Sequence, residues 1–194
     1  MKLEKAQNIA ATFCCLLRSG VERIAVAGSV RRGEPEVGDV EVVVVPKLRA
    51  MRRPGTLFPT IHNVAHEITE QLVSGERSSF SKGPKWGPKW RQLIYRHNAD
   101  EIKIDLFLVE MTGWGPQLAI RTGPADFSRT LVARGLPHGH VMRGGTIRDS
   151  KGIVVPFDCE RAFFEWCGFP WWEPSGRSEF GLSQFLNLNA MKSA

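Results

Sequence analysis

Seven residues, Asp-Val-Glu-Val-Val-Val-Val at 39–45, constrain this chain more than any other stretch. Their valines are stiff at χ1 and suit a packed, pleated surface, and Gly38 and Pro46 bound the run, so it reads as a buried strand. Successive side chains on a strand alternate faces, which puts Asp39 and Glu41 on the same side, about 7 Å apart. Two carboxylates are costly in so apolar a strand unless something compensates. A divalent cation, which takes oxygen ligands, does so. A third acid, Asp105, interrupts another β-rich run, 101–109, in the same way. On their own the three acids fit an exposed strand edge better than a metal site.

Helix and strand signals alternate around them. Leu3, Ala6, Ile9, Ala10, Phe13, Leu16 and Leu17 recur at helical spacing before a stop at Ser19-Gly20. Residues 23–27 read as a short strand entering a tight Gly28-Ser29 turn, after which Val30 opens a helical turn. Residues 47–59, with Lys47, Arg49, Arg52, Arg53, Pro54 and Gly55, read as an exposed basic loop. Helical spacing resumes with Ile61, Val64, Ala65, Ile68 and Leu72, while 91–97 and 101–109 flank Asn98, Ala99 and Asp100 as a hairpin with a three-residue turn.

Near 111–115 the strand-rich sequence gives way to segments punctuated by Gly and Pro, which places a domain boundary there. The expected division is a first domain over 1–112 and a smaller one over 113–194. The second would hold a helix at 125–133, a Gly-rich hairpin at 138–155, a helix at 158–167 and a flexible C-terminal tail. Phe163, Phe164, Trp166, Phe169, Trp171 and Trp172 read as its small core, with Cys159 and Cys167 as buried thiols.

Composition narrows the function classes. The 194 residues include four cysteines with no CxxC spacing, which argues against a zinc site or a disulfide framework and fits a reducing intracellular compartment. No apolar run is long enough to span a bilayer, and residues 1–7 lack a signal peptide's apolar core, so a soluble protein without a membrane partner is expected. With 26 Lys plus Arg against 20 Asp plus Glu, the charge of +6 favours a polyanion such as nucleic acid. Residues 83–90 repeat Gly-Pro-Lys-Trp twice between Lys82 and Arg91. Lys82, Lys85, Lys89 and Arg91 suit phosphates, and Trp86 and Trp90 suit stacking on bases. The alternative is a proline-constrained hairpin whose tryptophans cover the sheet. His62 and His66, four apart, lack the H-E-x-x-H arrangement and read as helix-surface histidines.

Gly28-Ser29-Val30-Arg31-Arg32-Gly33 followed by Gly38-Asp39-Val40-Glu41 resembles the signature of family X DNA polymerases, the DNA polymerase beta-like nucleotidyltransferases. The likeness continues through Ser81-Lys82-Gly83, Lys103-Ile104-Asp105-Leu106, Thr122-Gly123 with Phe127, and Glu173-Pro174-Ser175-Gly176-Arg177-Ser178-Glu179, in the family's order. It implies an α+β fold: a nucleotidyltransferase palm, a mixed β-sheet with helices on one face, then a small α+β thumb that closes on the nucleotide. The family's amino-terminal lyase domain and helix-hairpin-helix elements are expected to have no counterpart, since about 27 residues precede the Gly-Ser turn. The implied activity is gap-filling DNA synthesis by a monomer, using primer-template or gapped DNA and nucleoside triphosphates.

By the same resemblance, Asp39 and Glu41 bridge two Mg²⁺ ions, with Mn²⁺ a substitute, while Asp105 binds the catalytic ion and helps activate the primer 3′-hydroxyl. Gly28, Ser29, Arg32 and Gly38 match positions at the triphosphate. Thr122, Gly123, Ser128 and Arg129 match positions lining the nucleotide. This sequence departs from the family at several of these positions. Glu41 stands where Asp is usual, which implies a shifted metal position or a preference for Mn²⁺. Ile120 and Arg121 replace aromatic residues that help exclude ribonucleotides, and Ser128 and Arg129 replace Asn and Lys. Two other functions remain open: transfer to another hydroxyl, on an RNA end or a small molecule, and a non-catalytic nucleic-acid binding module.

Overall fold

A computed structural model describes residues 1–52, 55 and 58–177. Arg53 and Pro54 of the basic loop, Ser178, Glu179 and the expected tail lie outside the described residues. In chain order the elements begin α1 (Leu3–Leu17), β1 (Val21–Val26), α2 (Gly28–Arg32), β2 (Val40–Pro46), β3 (Leu48–Met51), β4 (Thr60–Asn63) and α3 (Val64–Ser74). They continue β5 (Phe80–Trp86), β6 (Trp90–His97), β7 (Asp100–Leu108), α4 (Trp114–Thr122), α5 (Ala125–Gly135), β8 (Val141–Arg143), β9 (Thr146–Arg148), β10 (Val154–Val155) and α6 (Glu160–Trp166). Two compact units result: residues 1–26 with 38–109, and residues 27–37 with 110–194.

In the first unit, among the described residues, five strands form one sheet in the order β1-β2-β7-β6-β5. The β2–β7 pair is parallel and the others are antiparallel, so the sheet is mixed. Val40, Val42, Val43 and Val44 are fully buried, the outcome expected of a β-branched run in a central strand. Helix α1 packs on β1 and β2 and touches α3, which packs on β5. Its buried stripe is Ala6, Ile9, Ala10, Phe13 and Leu17; Leu16, expected on that stripe, is 41% exposed because it falls beyond the stripe's width. Mixed sheet plus helices make the unit α+β, a class compatible with a nucleotidyltransferase.

Three local expectations change. Residues 48–51 are not loop: they pair antiparallel with 60–63, which satisfies backbone groups that an exposed loop leaves to water. Ile61 therefore belongs to β4, 59% exposed, and α3 starts at Val64, capped by the Asn63 side chain accepting from the His66 N–H at 3.1 Å. His62 accordingly lies on a strand, its Nδ1 3.0 Å from Glu67 Oε1. The β6–β7 turn is also tighter than three residues, because Asp100 already pairs with His97 and Asn98 takes the left-handed conformation at φ 58°.

The second unit has a core of its own, with Ala119, Phe127, Leu131, Ile147, Phe157, Phe163, Phe164, Cys167 and Phe169 buried together. The Gly-rich hairpin expected at 138–155 gains a third strand, giving the order β10-β9-β8. Trp166, Trp171 and Trp172 are partly buried around the core. Burial pushes the Cys167 thiol up to about 12, but Cys159 is exposed, correcting its reading as buried: it caps α6, its sulfur accepting from the Ala162 N–H. Among the described residues no helix is long and apolar enough to cross a membrane.

Candidate functional site

Register brings two of the acids together in the first unit. Asp39 immediately precedes β2, Glu41 is its second residue and Asp105 lies in the middle of β7. Parallel pairing sets Glu41 opposite Asp105, and antiparallel pairing sets Asp105 opposite Gln92. Paired residues share a face, so a polar row, Glu41-Asp105-Gln92, crosses the sheet. Asp105 is 7% exposed, and its Oδ1 accepts from Trp90 Nε1 at 2.8 Å and from Gln92 Nε2 at 3.0 Å.

Burial, and then the negative charge of Asp105, raise Asp39 above the ordinary Asp value, opposed by Lys103 and a backbone hydrogen bond. Asp39 therefore feels the charge of Asp105, and carboxylate oxygens of this kind suit a hard divalent cation. Among the described residues no three Asp, Glu, His or Cys side chains are gathered into a ready-made cation site. The sheet thus supplies oxygen donors rather than a closed cage.

The Gly-Pro-Lys-Trp repeat forms the end of the β5–β6 hairpin, with a register shift between Lys82 and Trp86. Pro84 cannot donate to a ladder, and a Cβ on Gly83 would stand 2.8 Å from Gln92 Cγ, so the Gln92 side chain lies where β5 has none. Much of the repeat is committed within the fold. Trp86 Nε1 donates to Glu70 Oε1 at 2.9 Å, and its ring centroid lies 4.8 Å from the Lys82 ammonium and 4.7 Å from the Arg91 guanidinium. Glu70 also pairs with Lys82 at 2.9 Å and Arg91 at 3.3 Å. Lys85 is exposed with its ammonium 5.4 Å from the Trp90 ring centroid, and Lys89 is exposed as well. Trp90 turns inward to Asp105, a role that an evenly spaced repeat gives no sign of.

The Gly-Ser turn belongs to the second unit. Gly28 opens α2 at φ 61°, a conformation that L side chains rarely adopt, and Ser29 follows in the first turn. Gly38, which precedes Asp39, belongs to the first unit. Arg31 donates to Thr122 Oγ1 at 2.7 Å and to Glu160 Oε2 at 2.5 Å, and Arg32 donates to the Thr122 carbonyl at 2.7 Å. Glu160 Oε1 accepts from Arg177 at 2.7 Å. Sequence reading missed Glu160, an acid at the head of an aromatic helix whose two arginines lie far away in the chain. Gly123 caps α4, and the buried Ser128 donates to the Ile120 carbonyl at 2.6 Å. Arg129 pairs with Asp126 one turn away. Ser128 and Arg129 are thus both bonded within the unit.

No protein-family model matches the chain. It is similar to DNA polymerase lambda of Rattus norvegicus, with 26% identity over 164 residues, which cover 77% of this chain and 28% of that protein. The chain thus spans little more than a quarter of that relative's length.

Proposed function

We propose that this chain is a DNA polymerase of family X type that transfers a dNMP to a primer 3′-hydroxyl in gap-filling synthesis. The observation that carries the reading is the pairing of Glu41 with Asp105 across the parallel β2–β7 ladder, with Asp39 at its mouth. The distant similarity to DNA polymerase lambda supports the polymerase class, and the charge of +6 suits DNA as partner. In this reading residues 1–112 are a palm and 113–194 a thumb.

Asp39 and Glu41 would hold two Mg²⁺ ions, or Mn²⁺ in their place, and Asp105 one of them. Such ions, when bound, neutralise charge developing on the attacking and leaving oxygens of an in-line displacement. Asp105 accepts the proton of the 3′-hydroxyl, whose oxygen bonds to the α-phosphorus while the bond to the β-phosphate oxygen breaks and pyrophosphate leaves. Gly28, Ser29, Arg32 and Gly38 bind triphosphate oxygens, and Thr122 and Gly123 line the nucleotide. Lys82, Lys85, Lys89 and Arg91 offer positive charge to the DNA backbone.

A second reading, transfer to another hydroxyl acceptor, is favoured by one observation: Ser128 and Arg129 are bonded to Ile120 and Asp126. Incubation with gapped and single-stranded primers, dNTPs or NTPs, and Mg²⁺ or Mn²⁺, beside an Asp39→Ala control, separates the two. Gap-dependent extension by dNTPs is expected. Extension without a template, or equal use of NTPs, favours the second reading. DNA binding without any extension contradicts both.

A further inference from the structure

Two N–H donors from one strand converge on a single oxygen of Asp105. Trp90 and Gln92 are alternate residues of β6, so they share a face, and both reach Oδ1 of Asp105 on the neighbouring β7, at 2.8 and 3.0 Å. An Asp side chain is otherwise loosely held about its last torsion. Here the torsion is fixed from two directions. The supports are themselves held: the Trp90 ring packs tilted against Phe107, centroids 5.7 Å apart, and Gln92 is 9% exposed, lying where Gly83 has no side chain.

We propose that Trp90 and Gln92 are positioning residues for Asp105, which clamp Oδ1 and so direct the carboxylate's remaining capacity, at Oδ2, toward its ligand. Gly83 is part of the device, because a Cβ there would fall 2.9 Å from Gln92 Oε1 and displace the amide. The proposal deepens the polymerase reading and rests on it for the identity of the ligand, a divalent cation. It explains why the second Gly-Pro-Lys-Trp copy ends where it does: Trp90 is the first residue of β6 and is set opposite Phe107, two residues along from Asp105.

The test is direct Mn²⁺ titration of the whole chain by electron paramagnetic resonance of the free ion, with nucleotide present and no DNA. Trp90→Phe keeps an aromatic ring and removes the N–H; Gln92→Met keeps the length and removes the amide; Gly83→Ala leaves both donors in place and moves one. Each is expected to weaken Mn²⁺ binding roughly 10- to 100-fold, as loss of a ligand's outer hydrogen-bond partner does. In primer extension the same variants should lower kcat and leave KM for the dNTP within about twofold, since they touch Asp105 and not the nucleotide. A merely structural role would lower the melting temperature and leave Mn²⁺ affinity alone. The proposal falls if folded Gln92→Met and Gly83→Ala both bind Mn²⁺ within twofold of the parent while Asp105→Asn does not. If the parent chain itself binds no Mn²⁺, the polymerase reading fails first and the proposal with it.

Discussion

Glu41 and Asp105 stand opposite one another on adjacent parallel strands, the one carboxylate pair set into a row of buried valines, leucines and isoleucines in β2 and β7. A central sheet tolerates such a pair poorly on its own; in the proposed reading the pairing trades stability for the capacity to bind charge.

That trade has a measurable sign at Asp39. Burial and the charge of Asp105 raise it above its unfolded value, so the folded protein binds that proton more tightly. The resulting stabilisation is present below the ordinary Asp value and is lost as the pH rises through the raised one. Asp39→Asn, which removes the charge, is expected to raise the melting temperature of cation-free protein at pH 7 by roughly 1–4 °C, the span of a kcal/mol or less. It should abolish nucleotidyl transfer and remove the stabilisation by Mg²⁺ expected of the parent. Thermal unfolding with and without Mg²⁺ reads both, and a fall in melting temperature for cation-free Asp39→Asn contradicts the electrostatic account.

In the second unit the prediction concerns Glu160. Its two oxygens accept from Arg31 and Arg177, and Arg177 is 2% exposed. Removing one partner of a buried pair strands the other charge, at a cost of about 3–5 kcal/mol. Glu160→Ala should therefore lower the melting temperature by roughly 6–20 °C. Arg177→Met, which removes the buried charge itself, should cost less in Glu160→Ala than in the parent. Additive losses in the double variant would contradict the pairing.

Thiol chemistry checks the burial pattern. Cys15 and Cys159 are exposed, whereas burial raises Cys14 to about 11 and Cys167 to about 12. A maleimide at pH 8 should label Cys15 and Cys159 first, the other two at least about tenfold more slowly, because the thiolate is the nucleophile. Peptide mapping over time gives the order, and early modification of Cys167 would contradict the core assignment.

For DNA, the structure separates the basic residues of the hairpin. Lys82 and Arg91 pair with Glu70, while Lys85 is exposed with no acid partnered to it among the described residues. Lys85→Ala is expected to weaken binding of gapped DNA and to reduce the slope of log affinity against log salt by roughly one, with a smaller change for Arg91→Ala. Equal slopes for parent and Lys85→Ala would remove Lys85 from the interface.

The sequence made the strand that carries Glu41, with Asp39 just ahead of it, legible, because a β-branched run bounded by Gly and Pro has few other uses, and it made α1 and the second unit's aromatic core legible through spacing and clustering. What it did not reveal depends on partners distant in the chain. Residues 48–51 looked like basic loop because no local signal announces pairing with 60–63. Trp90 looked like a DNA-stacking residue because nothing beside it in sequence points to Asp105. Glu160 attracted no attention, since its meaning comes from Arg31 and Arg177. Ile61 matches the spacing of the helix, yet the Asn63 cap starts the helix after it.

The central claim is that Asp39, Glu41 and Asp105 hold divalent cations for nucleotidyl transfer. Its most direct measurement is pyrophosphate release on a one-nucleotide gapped DNA with a matched dNTP and Mg²⁺, for the parent chain and for Asp105→Asn. The account predicts one pyrophosphate per primer extended by the parent, stronger activity when Mn²⁺ replaces Mg²⁺, and a loss of about 10³-fold or more in Asp105→Asn. Undiminished release by Asp105→Asn, or release insensitive to removal of divalent cations, would contradict it.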